Sequence, residues 1–203
     1  MIIDYKKIRE ISTQSYMENY KFPGYKSPLD DTHHFADARA MKGGEHYQLL
    51  TYLTFLFDDI LILDVGTNWG DSAICLSQNT KNKVITYDIE HIWDYPFANN
   101  FKNLEFKLMD INKENEDVIK SAKLIFLDIA HDGFQEQIFT DFLSRIDYKG
   151  YVFVDDIHIP WSPQMKVWWN SIKVEKYDLT EIGHSWGTGL INYYQDNSII
   201  IKK

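Results

Sequence analysis

Ile62-Leu63-Asp64-Val65-Gly66-Thr67-Asn68-Trp69-Gly70-Asp71-Ser72 reads as the end of a buried strand, a tight glycine turn and the start of a helix. Gly66 lets the chain turn sharply and lets a ligand come close to the backbone. Gly70 permits close packing where the free N–H groups of a helix start face outward. The spacing is Gly-x-x-x-Gly. It is neither the Gly-x-Gly-x-x-Gly of a dinucleotide site nor a loop ending in Gly-Lys-Ser/Thr for phosphate.

Working outward, the chain from residue 60 alternates short aliphatic runs with helical stretches. Residues 60–65, 83–88, 104–109, 123–128 and 151–155 read as buried parallel strands. Helices are predicted over 70–78, 113–122, 134–146 and 162–172, with a less regular one over 91–99, and alternation of this kind predicts βαβ units in a doubly wound sheet. Residues 174–180, 189–194 and 198–202 are strand-like and are expected to pair antiparallel, with a turn at 195–197. A helix over 45–57 precedes the first strand, where Glu45-His46-Tyr47 caps it or touches a ligand. Residues 1–44 differ in character. A short helix over 5–20 is followed by a segment rich in Pro, Gly and aromatic residues, which is read as a lid. The two units are therefore 1–44 and 45–203.

In open α/β sheets ligands bind at the carboxyl ends of the strands. The second strand closes with Asp88, about 20 residues after Gly66, where an acid can accept hydrogen bonds from ribose hydroxyls. The third ends in Met109-Asp110-Ile111, a carboxylate beside an apolar residue that can meet the amine and the face of an adenine.

With these residues in place, the sequence over residues 45–203 resembles the class I S-adenosylmethionine-dependent methyltransferases. Asp64-x-Gly66-x-x-x-Gly70 is similar to their first motif, Asp88 to their ribose-binding acid and Asp110 to their adenine-side acid. The resemblance implies a Rossmann-like, mostly parallel sheet of seven strands, with an antiparallel C-terminal strand inserted between its neighbours. It also implies a cofactor site of Asp64, Gly66, Thr67, Asn68, Gly70, Asp71, Ser72, Asp88, Ile89, Asp110, Ile111 and Asp128.

The fourth and fifth strands also end in acids, Asp128 in one case and Asp155-Asp156 in the other. Converging carboxylates without a basic partner repel unless they are protonated or bound to a cation, and hard oxygen donors suit Mg²⁺, Ca²⁺ or Mn²⁺. The pattern resembles the metal-dependent O-methyltransferases of the catechol and antibiotic-sugar types, which implies a divalent metal at Asp128, Asp155 and Asp156. It departs from the catechol pattern by carrying His131 rather than Lys, and Asp156 in place of an amide. His131 stands where a catalytic base is expected beside Asp128, and an imidazole titrates in the range that suits a hydroxyl proton. Plainer roles compete. Asp132, Asp155 or Asp156 can cap a helix or brace a loop, and His131 can be a helix-start residue bonded to a carboxylate.

Composition narrows the partners. A formal charge of −9 and the absence of a Lys/Arg stripe exclude a polymeric nucleic acid as the expected substrate. Cys75 is the single cysteine, which excludes an intramolecular disulfide. No apolar run approaches the ~20 residues of a membrane span, and residues 1–10 do not read as a signal peptide, so a cytoplasmic location is expected. Aromatics at 15% leave rings for a pocket as well as for the core. Trp161, Trp168 and Trp169 are expected to be buried or partly buried. His33, His34, His158 and His184 carry no assignment, although His158 stands close enough to the acidic pair to line an acceptor pocket and the glycines around His184 predict a tight turn. No Cys/His set has zinc spacing and no Gly-x-Ser-x-Gly elbow is present. The expected activity is O-methylation of a hydroxyl on a sugar, phenol or related small molecule. The alternatives are metal-free N- or O-methylation, a non-catalytic cofactor-binding module and, disfavoured by the glycine spacing, a nicotinamide oxidoreductase.

Overall fold

Alternate residues of each central strand sort to opposite faces. In a computed structural model that describes residues 1–11, 46–68, 70–90, 101–195 and 198–203, β2 (Leu61–Val65) sends Ile62 into one apolar cluster and Leu63 and Val65 into another. β5 (Ala122–Leu127) divides Leu124 and Phe126 from Ile125 and Leu127 in the same way. Burial on both faces is why these strands read as continuous apolar runs.

The strand order of the main sheet is β4-β3-β2-β5-β6-β8-β7, with seven strands. The others are β3 (Lys83–Asp88), β4 (Leu104–Leu108), β6 (Tyr151–Asp155), β7 (Lys176–Asp178) and β8 (Thr188–Asn192). All neighbours pair parallel except β8, which runs antiparallel to both β6 and β7. This is the seven-stranded, Rossmann-like arrangement expected from the sequence. Among the described residues, α1 (Tyr5–Glu10), α2 (Tyr47–Thr54) and α3 (Asp71–Leu76) pack on the face carrying Ile62 and Phe126. α4 (Glu116–Ser121), α5 (Phe134–Arg145) and α6 (Pro163–Ser171) cover the other face through Ile119, Phe139, Leu143, Met165, Trp168 and Trp169.

Three expectations need correction. The terminal segment does not extend the main sheet: β9 (Ile200–Lys202) pairs in parallel with β1 (Ile2–Asp4) as a separate two-stranded sheet. The helix expected over 5–20 spans Tyr5–Glu10: Asp4 caps it by accepting from the Lys7 N–H at 3.2 Å, and the chain turns extended at Ile11. Trp168 and Trp169 are buried as expected, whereas Trp161 is exposed because it lies before α6 rather than on its inward face. Cys75 is buried in α3 and burial pushes its thiol up. The lid segment with His33 and His34, Glu45, Trp69, the irregular helix over 91–99, and Asp196 and Asn197 of the expected turn lie outside the described residues. Among the described residues no helix is long and apolar enough to cross a membrane.

The direction of winding reverses between β2 and β5, so a crevice opens beyond their carboxyl ends. The Asp128 N–H donates to the Val65 carbonyl at 2.8 Å, which extends the ladder one step past the strands. Immediately beyond, Gly66 has φ +103°, and a Cβ there would sit 1.7 Å from the Asp128 carbonyl oxygen. Only glycine fits this approach. Gly66→Ala is expected to cost more than ~1 kcal/mol from the backbone conformation alone, with the backbone collision added. Thermal unfolding should show a lowered midpoint, and an unchanged midpoint would contradict the close approach.

Candidate active site

The first side of the crevice is built by the loop after β2. Gly66 and Thr67 both donate their N–H groups to the Tyr87 carbonyl, at 2.9 and 3.0 Å, which folds the loop against the end of β3. Gly70, at φ +87°, then caps α3, whose first turn buries Asp71 and Ser72. Asp64 is fully buried behind the loop. Thr86 donates its hydroxyl to Asp64 at 2.7 Å and lies 2.6 Å from the Thr67 hydroxyl. Burial pushes the Asp64 carboxyl up to about 7. Thr67 thus spends its hydroxyl inward on the sheet rather than on the crevice.

Asp88 is held from both sides. Its Oδ2 accepts from the Asn68 N–H at 2.8 Å and its Oδ1 from the Glu90 N–H at 3.1 Å, which fixes the carboxylate at the crevice edge. Asp110 caps the 3₁₀ turn Ile111–Lys113 by accepting from the Asn112 N–H at 2.9 Å. A cavity of about 570 Å³ lies between these groups. Gly66, Asn68, Asp88, Ile89, Asp110, Ile111 and Asp128 line it, together with Tyr87, Met109, Ile129 and His131. Of the expected cofactor residues, Asp64, Thr67, Gly70, Asp71 and Ser72 are not in this lining: they support the loop and the helix start beside it.

The second side is acidic and is met by histidines from three parts of the chain. His131 Nε2 stands 2.7 Å from Asp128 Oδ1 and 3.7 Å from Asp156 Oδ2. Its loop is pinned by the buried Glu136, whose carboxylate accepts from the N–H groups of His131 at 2.8 Å and Gly133 at 2.7 Å. Asp132 caps α5 by accepting from Phe134 and Gln135, so the capping role fits it. Burial disfavours charge on His131, but the hydrogen bond and charge of Asp128, with Asp156 and Asp155 nearby, outweigh it and raise the imidazole to about 9.

Asp155 and Asp156 close β6. Asp155 Oδ1 lies 3.2 Å from His46 Nδ1 and 3.3 Å from His184 Nδ1, while Asp156 Oδ1 lies 2.7 Å from the same His184 nitrogen. Burial opposes the Asp155 charge, yet the two rings hold its carboxyl well below the usual carboxylate range. The structure therefore divides the expected three-acid set. Asp128 and Asp155 belong to one donor group with His131, and Asp155 belongs to a second with His46 and His184. Asp156, turned by a φ of +60°, is spent on His184.

Sequence reasoning placed His46 at a helix start and His184 in a turn, and both positions are correct. It missed that the rings converge on the acidic pair. The available signal was the pair itself, since two buried acids require a counter-charge and no Lys or Arg lies near them in sequence. His158 instead pairs with Asp178 at 2.7 Å. The Trp161 and Trp186 rings meet edge to face at 4.4 Å, with Trp186 5.1 Å from the His184 ring.

No family model matches the chain, and no curated protein matches its sequence. Solved structures do match in fold. A Staphylococcus aureus protein designated a caffeoyl-CoA O-methyltransferase aligns at 14% identity over 82% of this chain and 93% of that one, with a TM-score of 0.59. Cofactor-bound Rv0187 from MTB aligns at 12% identity over 89% and 87%, with a TM-score of 0.54. The O-methyltransferase TomG from Streptomyces achromogenes, solved with S-adenosylmethionine, aligns at 14% identity over 93% and 88%, with a TM-score of 0.52. The chain has the Rossmann-like methyltransferase fold.

The paired state of His131 can be read directly. NMR titration of its ring should give a midpoint near 9 in the wild type, falling in Asp128→Asn as the main counter-charge is removed. Because the folded value exceeds the ordinary 6.5, the associated stabilisation is complete below pH 6.5 and is lost as pH rises through 9. A midpoint at or below 6.5 in the wild type would contradict the pairing.

Proposed function

We propose that the chain is an S-adenosylmethionine-dependent methyltransferase that methylates a hydroxyl group of a small molecule such as a sugar or phenol. The observation that carries this reading is one cavity, of about 570 Å³, lined at one end by Asp88 and Asp110 and at the other by Asp128 and His131. Its volume lies in the ordinary range for small-molecule sites. The fold shared with proteins designated O-methyltransferases supports it.

When bound, the cofactor supplies an activated methyl group on a sulfonium. The chain's own groups do the rest. Asp88, oriented by the Asn68 and Glu90 N–H groups, would accept from the ribose hydroxyls. Asp110 and Ile111 would meet the adenine amine and face. Gly66 brings bare backbone to the crevice. Asp128 and His131 would stand on the acceptor side, where the acceptor's proton must go. His131 can take that proton only after its own imidazolium proton is lost. A residue raised to about 9 therefore implies transfer that quickens toward alkaline pH, or a cation among the carboxylates that displaces the proton.

In the same reading, residues 45–203 form the cofactor-binding unit, against which residues 1–11 pack. The acceptor is a small molecule met in the cytoplasm rather than a nucleic acid or a membrane. Among the described residues, the groups that could share a metal ion mix acids with imidazoles rather than joining three aspartates.

The test is calorimetric titration of S-adenosylhomocysteine into the wild type and Asp88→Ala. Binding in the micromolar range, weakened by at least ~10-fold in the variant, is expected for the loss of hydrogen bonds to a charged group. No binding to the wild type would overturn the methyltransferase reading. Equal binding to the variant would move the ribose away from Asp88.

A further inference from the structure

We propose that His46, Asp155 and His184 form a binding site for a divalent transition-metal ion of the zinc class, distinct in its donors from a three-aspartate site. Two imidazole nitrogens face one carboxylate oxygen at 3.2 and 3.3 Å, and the three donor atoms lie within 4.8 Å of one another. Donors on a tetrahedron ~2.1 Å from zinc stand roughly 3.4 Å apart, so separations of 3.2 and 3.3 Å let the three groups share one ion. Asp155 Oδ1 is buried and accepts no hydrogen bond.

The site is built rather than accidental. The His46 ring is wedged between Tyr47 and Phe126, at centroid distances of 4.9 and 4.8 Å, while its carbonyl accepts from Leu50 to start α2. The His184 N–H donates to Thr188 Oγ1 at 2.7 Å, and the turn that follows is laced to the end of β6 by Ile157 N–H to Gly187 O and His158 N–H to Trp186 O. At Gly187, φ is +106° and a Cβ would strike Ile157 and His158, so the turn packs directly against the segment after the acidic pair. His46, Asp155 and His184 are each less than a tenth exposed.

The donor set selects the ion. Two imidazoles and one carboxylate suit zinc, iron, cobalt or manganese, whereas Mg²⁺ and Ca²⁺ prefer oxygen shells. The His184 nitrogen now bonded to Asp156 must exchange its proton for the ion on loading, so binding releases a proton and weakens in acid. Because Asp155 also belongs to the Asp128–His131 group that borders the cavity, an ion here is a Lewis acid next to it. The site itself does not depend on the methyltransferase reading.

The test uses the 203-residue chain, stripped with EDTA, titrated with Zn²⁺ and in parallel with Mg²⁺, with bound metal counted by plasma mass spectrometry. One zinc per chain is expected, uncontested by Mg²⁺, with affinity falling at least ~10-fold in His46→Ala and in His184→Ala. Asp128→Asn, which alters the neighbouring group that shares Asp155, should reduce zinc affinity far less than either histidine variant. Should the histidine variants lose their fold, ring-¹⁵N NMR of the zinc-loaded wild type decides, with two rings expected to be metal-bound through Nδ1. Failure to bind zinc stoichiometrically, equal binding of Mg²⁺, a loss confined to Asp128→Asn, or no ring bound through Nδ1 would each overturn the proposal. Zinc binding without S-adenosylhomocysteine binding would uphold the metal site and reject the methyltransferase reading.

Discussion

Three carboxylates crowded at the ends of two adjacent strands set the terms for the rest of this site. Pairing of Leu127 with Val154 brings β5 and β6 into register, so the acids that follow, Asp128 and Asp155, emerge side by side, with Asp156 next in the chain. Like charges at such range cannot all be held in a partly buried space without compensation. The chain compensates with imidazoles: His131 from the loop after β5, His46 from the start of α2 and His184 from the turn before β8. Each is held by its own local device, whether the Glu136 clamp, ring packing on Phe126 or the Thr188 hydrogen bond. The electrostatic requirement at one point thereby fastens three distant parts of the sequence together.

The same point joins the acidic side of the cavity to the side that carries Asp88. The bare Cα of Gly66 lies against the Asp128 carbonyl, and the loop it begins orients Asp88 through the Asn68 N–H. A shift of β5 relative to β2 would disturb both Asp88 and the acid paired with His131. Behind the loop, the chain of Asp64, Thr86 and Thr67 keeps hydroxyls and a carboxyl group inside the sheet, and burial leaves that carboxyl able to hold its proton up to about pH 7. The two halves of the cavity are thus mechanically one unit.

Much of this was legible in the sequence because parallel strands buried on both faces leave an unmistakable pattern. The runs ending at Asp88 and Asp155 coincide with the observed strands, and Asp88, Asp110 and Asp128 line the cavity as their strand-end positions implied. Side chains that line a cavity and side chains that support the loop beside it are less easily separated, and Thr67 and Ser72 lie outside the lining. What sequence spacing could not supply was long-range pairing. β1 and β9 are short strands from opposite ends of the sequence, and nothing local marks them as partners. His46 and His184 each sit in a segment with an adequate local role, a helix start and a turn, so their convergence on Asp155 becomes visible only in three dimensions. The exposure of Trp161 follows from its place just outside a helix whose inward positions are taken by Met165, Trp168 and Trp169.

The central claim is that the crevice beyond β2, β3, β4 and β5 is where S-adenosylmethionine binds. Hydrogen exchange read by mass spectrometry, with and without saturating S-adenosylhomocysteine, tests it most directly. The account predicts slowed exchange in peptides spanning 66–68, 88–90 and 110–112, together with the loop at 128–133, and little change along β7 and β9. Protection absent from those strand ends, or confined to another part of the chain, would contradict it.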